Sequence, residues 1–203
     1  MGRLIQTLFV AAAMAASAPV LAKATPLTVP AGDYVLEPTH ASVTFKLKHL
    51  GLSNYTARFA KFDAGINLDP DDPTRSTVTV SIDPNSVRTD FPFPEKEDFD
   101  KVIAEKFLKS GTYPTITFQS TSLVETAPNR GKMTGNLTLM GVTKPVTLDV
   151  VLNGAMVHPF RKVQALGFSA TGTFNRSDFG STELQGPVGD EITVIVEAEF
   201  LKK

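Results

Sequence analysis

Strict alternation of apolar and polar residues runs through most of this chain, and it leaves few folds open. Val43, Phe45 and Leu47 alternate with Thr44, Lys46 and Lys48, and Val78, Val80 and Ile82 alternate with Thr79 and Ser81. The same period returns at Ile116 and Phe118, at Leu137 and Leu139, and at Val146, Leu148 and Val150. It returns again at Leu166, Phe168 and Ala170, and at Ile192, Val194 and Val196. A repeat of two puts successive side chains on opposite faces of a strand, so each segment predicts a β-strand with one buried and one wet face. With residues 55–68 and the lead-in at 34–36, the count is about eight strands or more, which suits a small closed barrel or a sandwich.

Turn chemistry separates the strands. Asp69-Pro70-Asp71-Asp72-Pro73 ends one, Pro128-Asn129-Arg130-Gly131 predicts a hairpin tip, and Gly141-Val142-Thr143-Lys144-Pro145 joins two antiparallel neighbours. Asn153-Gly154 is expected to close the next strand. Connections this short favour a meander. One segment breaks the pattern. Phe99, Val102, Ile103 and Phe107 recur at helical spacing, Glu95, Glu97, Asp100, Lys101 and Glu105 lie among them, and Pro94 precedes them. This predicts a short amphipathic helix, stopped by Gly111 and Pro114 and set against one mouth of the barrel.

The first 22 residues carry one charge, Arg3, followed by an apolar run and small residues at Val20-Leu21-Ala22. This is the layout of a secretory signal peptide, expected over 1–22, with Ala22-Lys23-Ala24 allowing a later cut after Ala24. The apolar part is short for a span and Pro19 interrupts it, and no Cys stands at the cleavage point to carry a lipid anchor. The exported domain is then 23–203, with a net charge of about −2 and no basic excess to suit a nucleic acid. The chain has no cysteine, which excludes disulfides, thiolate metal sites and Cys nucleophiles together.

Alternation does not say which way the apolar face points. The absence of Trp, the presence of only three Tyr, the charged helix, and Lys46, Lys48, Asp149 and Glu197 on the opposite face favour an inward apolar face over an outer-membrane barrel. Phe45, Phe118, Phe168 and Phe174 then either fill a closed core or line a cavity. Of the three histidines, His40 and His49 flank one strand; at about 3.4 Å per residue a straight strand holds them about 30 Å apart, too far to share a metal. Each is a head-group ligand at a barrel mouth or a rim residue satisfied by loop backbone, and for His158 the second reading is favoured. In Asn175-Arg176-Ser177-Asp178-Phe179-Gly180, Arg176 either braces a turn or meets a phosphate. No Gly-x-Ser-x-Gly elbow, Gly-rich phosphate loop or paired carboxylates stand out, so no metal, cofactor or catalytic residue is expected.

The ordered pieces together resemble the YceI-like family of bacterial polyisoprenoid-binding proteins. They are Tyr34-Val35-Leu36-Glu37-Pro38-Thr39-His40-Ala41-Ser42-Val43-Thr44-Phe45, Lys48-His49-Leu50-Gly51-Leu52-Ser53, Arg58-Phe59 and Tyr113-Pro114-Thr115-Ile116-Thr117-Phe118-Gln119-Ser120. They continue with Gly135-Asn136-Leu137-Thr138-Leu139-Met140-Gly141-Val142-Thr143-Lys144-Pro145-Val146, Asn175-Arg176-Ser177-Asp178-Phe179-Gly180 and Val188-Gly189-Asp190-Glu191-Ile192. The resemblance implies an all-β, lipocalin-like antiparallel up-and-down barrel of about eight strands with an elongated apolar tunnel. It also implies residence in the periplasm and binding of a long isoprenoid or comparable amphiphile, for transport or sequestration. On that expectation Val43, Phe45, Leu47, Phe118, Leu137, Leu139, Leu148, Phe168 and Val194 line the tunnel, and His40, His49, Asn54 and Arg176 meet the head group. The helix would serve as a lid. Transient membrane contact and a homodimer are partners consistent with this role. Many relatives carry His where Met140 stands, and a histidine pattern around His40 that differs at Ala41; if either position touches the head group, a less polar end is preferred here. Two other functions remain: an enzyme acting on a lipid or quinone with His40 or His49 as general base, and a closed-core envelope scaffold.

Overall fold

The computed structural model describes residues 25–203, so the signal-peptide expectation lies outside the described residues. The chain forms β1 (Gly32–His49), β2 (Ser53–Phe59), β3 (Phe62–Leu68), β4 (Thr77–Ile82), β5 (Val87–Arg88), α1 (Phe99–Val102), β6 (Ile116–Ala127), β7 (Arg130–Leu139), β8 (Val142–Val157), β9 (Gln164–Asn175) and β10 (Glu191–Lys202). β2 and β3 lie end to end along β1, interrupted at Ala60 and Lys61, and β4 and β5 lie end to end against them. The ten segments therefore make eight staves. Each pairs antiparallel with the next, and β10 pairs back onto β1, closing the barrel. Closure leaves no long edge to manage.

The alternating apolar sets all face inward, but the phase changes along four staves, β8 among them. In β1, Tyr34 and Leu36 face in, and so do Val43, Phe45 and Leu47, an odd step apart. The register explains it: Glu37 opposes Glu199 while Ser42 opposes Glu197, so β1 carries three extra residues in a bulge. An odd insertion flips a strand's faces, and here it keeps the apolar set inside. One extra residue between Ser120 and Ser122 does the same for β6, and the break at Ala60-Lys61 does it between β2 and β3. Outside, the wet faces carry cross-strand pairs such as Thr134–Thr147 at 2.8 Å and Lys132–Asp149 at 2.7 Å.

Several local expectations need correction. Met140-Gly141 alone joins β7 to β8; both have positive φ (51° and 75°), as a two-residue hairpin turn requires, and Pro145 lies inside β8. Asn153-Gly154 does not end β8. It forms a bulge, after which β8 runs on to Val157. The helix is shorter than its apolar period suggests: α1 covers one turn, and Ile103–Phe107 continues as a wider π-turn. Two ends result. The lid end carries the β1–β2 turn, α1 and residues 176–190. The hairpin end carries the 69–76 loop, the β6–β7 turn and the β8–β9 hairpin.

Candidate functional site

Inside the barrel is a cavity of about 840 Å³ whose wall includes residues from both ends, from Leu27 and Asn129 to Phe99 and Val188. This volume falls in the range of sites for sizeable small molecules. The wall is overwhelmingly hydrocarbon. All nine tunnel residues expected from the sequence lie on it: Val43, Phe45 and Leu47 from β1, Phe118 from β6, Leu137 and Leu139 from β7, Leu148 from β8, Phe168 from β9 and Val194 from β10. Of the alternatives left open by alternation, the interior is hollow rather than filled.

The lid end is closed by the segment around α1. Its apolar face, Phe99, Val102, Ile103 and Phe107, forms part of the cavity wall. Asp98 caps the helix by accepting from the Lys101 N–H at 3.0 Å. Asp100 accepts from the Thr89 N–H at 2.7 Å and the Thr89 hydroxyl at 2.6 Å, tying α1 to the strand that precedes it. The Ser181 hydroxyl donates to the Phe107 carbonyl at 3.1 Å, tying the far end to the 176–190 loop. The helical period in the sequence identified this face; its place on the wall depends on those tertiary bonds. Polar groups at this end of the wall are few: Tyr55, His49 and Lys106, with Ser181 and Glu183. The Tyr55 hydroxyl is buried without a hydrogen-bond partner among the described residues, and burial raises its pKa.

The four expected head-group residues separate. His49 lies on the wall at the lid end, where β1 meets Val188. Arg176 also reaches the wall, but its guanidinium is spent: Nε donates to the Gly189 carbonyl at 3.0 Å, Nη1 to Ser181 at 3.0 Å and Nη2 to Val188 at 3.1 Å. At 4 % exposure it braces the 176–190 loop instead of presenting donors to a ligand. The neighbouring Asp190 carboxylate is held below its ordinary pKa, first by the Ser177 hydroxyl that donates to it.

Asn54 is not on the wall; it is the second residue of β2, on the outer side, opposite Lys48. His40 is not at a mouth. It sits in the β1 bulge, outside the barrel, with Nδ1 at 2.8 Å from Glu37 Oε2. His40 is away from a mouth because β1 starts at Gly32, eight residues before it, and carries it in the bulge between Glu37 and Ser42.

Glu37 is 2 % exposed and strongly bonded. Its carboxylate accepts from the Thr39 hydroxyl, the Thr39 and His40 N–H groups, His40 Nδ1 and Arg161 Nη2. The Thr39 hydroxyl chiefly, with the His40 bonds, lowers its pKa to about 2 against the opposing effect of burial. Glu37, His40 and Glu199 bring metal-ligand atoms within 4.8 Å of one another. With Glu37 already saturated and Arg161 on its second oxygen, the group acts as a clasp on the bulge. Met140 is likewise off the wall, packed in the core with 5 % exposure, so it does not reach a head group in the tunnel.

The profile of the YceI-like domain matches residues 34–200, nearly the whole described chain. The chain belongs to the YceI-like family. It is 36% identical over 175 residues to a UPF0312 protein of Pseudomonas paraeruginosa, covering 85% of this chain and 88% of that one. A crystal structure of the Campylobacter jejuni YCEI protein superposes with a TM-score of 0.64 at 30% identity, covering 77% of this chain and 90% of that one. A polyisoprenoid binding domain from Saccharophagus degradans shares the fold at a TM-score of 0.60 and 16% identity, over 84% and 98% of the two chains.

Proposed function

We propose that this YceI-like protein binds a long-chain isoprenoid or similar amphiphile inside its barrel, and carries or sequesters it in the periplasm without transforming it. The observation that carries the reading is the apolar cavity of about 840 Å³ reaching from end to end. A void lined by hydrocarbon stays dry and favours an apolar guest. Each buried CH₂ of a guest contributes about 0.8 kcal/mol, so a long chain needs few polar contacts to bind. The relationship to a protein described as a polyisoprenoid binding domain points the same way. The polar end of the guest would lie by Tyr55, His49 and Lys106 beneath the α1 lid.

Native mass spectrometry of protein taken from its own periplasm without detergent tests this. The expected result is a discrete added mass, released on denaturation as an isoprenoid or other long amphiphile. Ala170→Trp, which places a bulky ring on the cavity wall, should lower the bound fraction of that ligand while the barrel stays folded. A wild-type protein that is free of ligand and takes up no isoprenoid from solution would overturn the proposal.

A further inference from the structure

The β8–β9 hairpin has a feature the tunnel does not need. β7 begins at Arg130, opposite Val151, so residues 153–157 of β8 overhang the barrel with only β9 beside them. Met156 and Val157 are each 59 % exposed, and Phe160 at the tip is 88 % exposed. Large exposed apolar groups standing together call for an explanation, whereas scattered ones do not. These continue onto the outer wall. In register, Met156 opposes Ala165, Ala165 opposes Leu201, and Leu201 opposes Val35. This apolar row crosses four strands, about 14 Å, on the face that elsewhere is polar; Ala165 within it is buried, and Val35 at its far end is exposed.

The tip is built to hold Phe160 out. His158 N–H donates to the Val163 carbonyl at 2.7 Å, and Lys162 N–H to the His158 carbonyl at 2.9 Å. The Phe160 and Arg161 N–H groups both donate to His158 Nδ1 at 3.2 Å. Arg161 Nη2 lies 3.2 Å from Glu37 Oε1 and fastens the tip to the barrel.

Charge distinguishes this hairpin from the rest of its own end, where the 69–76 loop carries Asp69 and Asp72 against Arg75, and Asp71 without an ion pair among the described residues. Between Val150 and Phe168 there is no Asp or Glu, while His158, Arg161 and Lys162 surround Phe160. Arg161 meets the buried Glu37, and Lys162 forms no ion pair among the described residues. The lid end also exposes apolar groups, Leu50, Leu52 and Leu184; Glu183 adjoins Leu184, and the separate 90–98 segment carries Asp90, Glu95, Glu97 and Asp98 against one lysine, Lys96. An anionic surface would be repelled by that acidic segment. A protruding aromatic beside Lys162, with Arg161 neutralised by Glu37 and the His158 ring nitrogen serving as an acceptor, suits the interface of an anionic bilayer. It suits a second copy less well, because a short overhang offers far less than the area of a stable dimer.

We propose that the β8–β9 hairpin docks this protein on anionic phospholipid bilayers, with Phe160 inserted among the lipids and Lys162 at the headgroups. The cavity wall reaches this same end at Leu152, Asn129 and Arg130, so a bound protein would hold that part of the tunnel close to the lipid.

The chain has no tryptophan, so Phe160→Trp supplies a single fluorescent reporter. The mature protein carrying it is mixed with vesicles of phosphatidylglycerol and phosphatidylcholine, and with pure phosphatidylcholine vesicles. The expected result is a blue shift and protection from iodide with the anionic vesicles, reduced by salt and by pure phosphatidylcholine. A Leu52→Trp reporter at the lid end should stay in water. Phe160→Asp should lower vesicle partitioning by about tenfold or more in co-sedimentation, with its melting temperature unchanged. Three results would overturn the proposal: no binding to either vesicle, a shift from Leu52→Trp in place of Phe160→Trp, or a Phe160→Trp shift that follows protein concentration without vesicles. The last would indicate self-association at the hairpin.

Discussion

Arg176 separates two roles that its position in the chain left open, and each predicts a different phenotype. As a brace, it satisfies the carbonyls of Ser181, Val188 and Gly189 and so holds the loop that meets the end of β1. That loop makes two further bonds there, from Leu50 N–H to the Pro187 carbonyl at 2.7 Å and from Gly189 N–H to the Lys48 carbonyl at 2.8 Å. Arg176→Ala strands three acceptors at about 1–3 kcal/mol each, partly relieved by entering water, for a loss of about 3–5 kcal/mol. A domain of this size loses about 2–4 °C per kcal/mol, so the melting temperature should fall by roughly 6–20 °C. Arg176→Lys keeps the charge but not the three-way fork, and should recover only a minor part of the loss.

The discriminating assay runs below both melting temperatures and compares two ligands of equal chain length, an isoprenoid alcohol and its diphosphate. A brace predicts that Arg176→Ala changes the two affinities by the same factor. A head-group anchor predicts a selective loss of the diphosphate. An unchanged melting temperature combined with that selective loss would refute the reasoning.

Three further outcomes follow from the geometry. Glu37 has a folded-state pKa of about 2 against an ordinary 4.5, so its clasp contributes stability above the ordinary value that is lost as pH falls toward 2; thermal unfolding across that window should show a steep acid loss in the wild type and a flatter one in Glu37→Gln. At Gly172 a Cβ would meet Leu148 Cδ2 and the Thr147 carbonyl oxygen, each at 2.6 Å, so Gly172→Ala should cost roughly 1–3 kcal/mol in a denaturant titration. If α1 and the following π-turn act as a lid, their amides should exchange faster than those of β7–β10 and slow on adding ligand; equal protection in both states would rule out a moving lid.

Much of the barrel was legible because a strand's period of two survives tertiary context. The inward set of β10, from Ile192 to Phe200, keeps one phase throughout, and so does that of β7. The bulges were legible as well, though less plainly: Leu36 and Val43 cannot share a face of a regular strand, and that mismatch in parity marks Pro38–Ala41 as the irregular stretch. Reading His40 as flanking the strand, when β1 runs from Gly32 to His49, is what placed it at a mouth. Asn54 was misplaced for a related reason: its polarity marks it as wet, but a wet residue near a strand end can face solvent or ligand. Arg176 looked ambiguous because its three acceptors are backbone carbonyls of residues 181–189, which no side-chain pattern reports. The exposed hairpin tip was hidden by Asn153-Gly154, a strong turn signal that here serves a bulge.

The scarcity of polar groups on the wall has a consequence for selectivity. If head recognition falls to the few polar groups at the rims, His49, Tyr55 and Lys106 at one and Glu125, Asn129 and Arg130 at the other, affinity must come chiefly from hydrocarbon length. Each isoprene unit adds five carbons, an upper limit of about 4 kcal/mol if fully desolvated, reduced by the cost of ordering a flexible chain. Affinity should therefore rise steeply along a series of isoprenoid alcohols and then level off once the chain fills the 840 Å³ available. Longer chains would project past one rim and gain nothing more. Ala170→Trp, by shortening the usable tunnel, should move the plateau to shorter chains. Competition binding along such a series provides the measurement. An affinity that is independent of length, or that depends on the head group at fixed length, would place recognition on the polar rim instead of the wall.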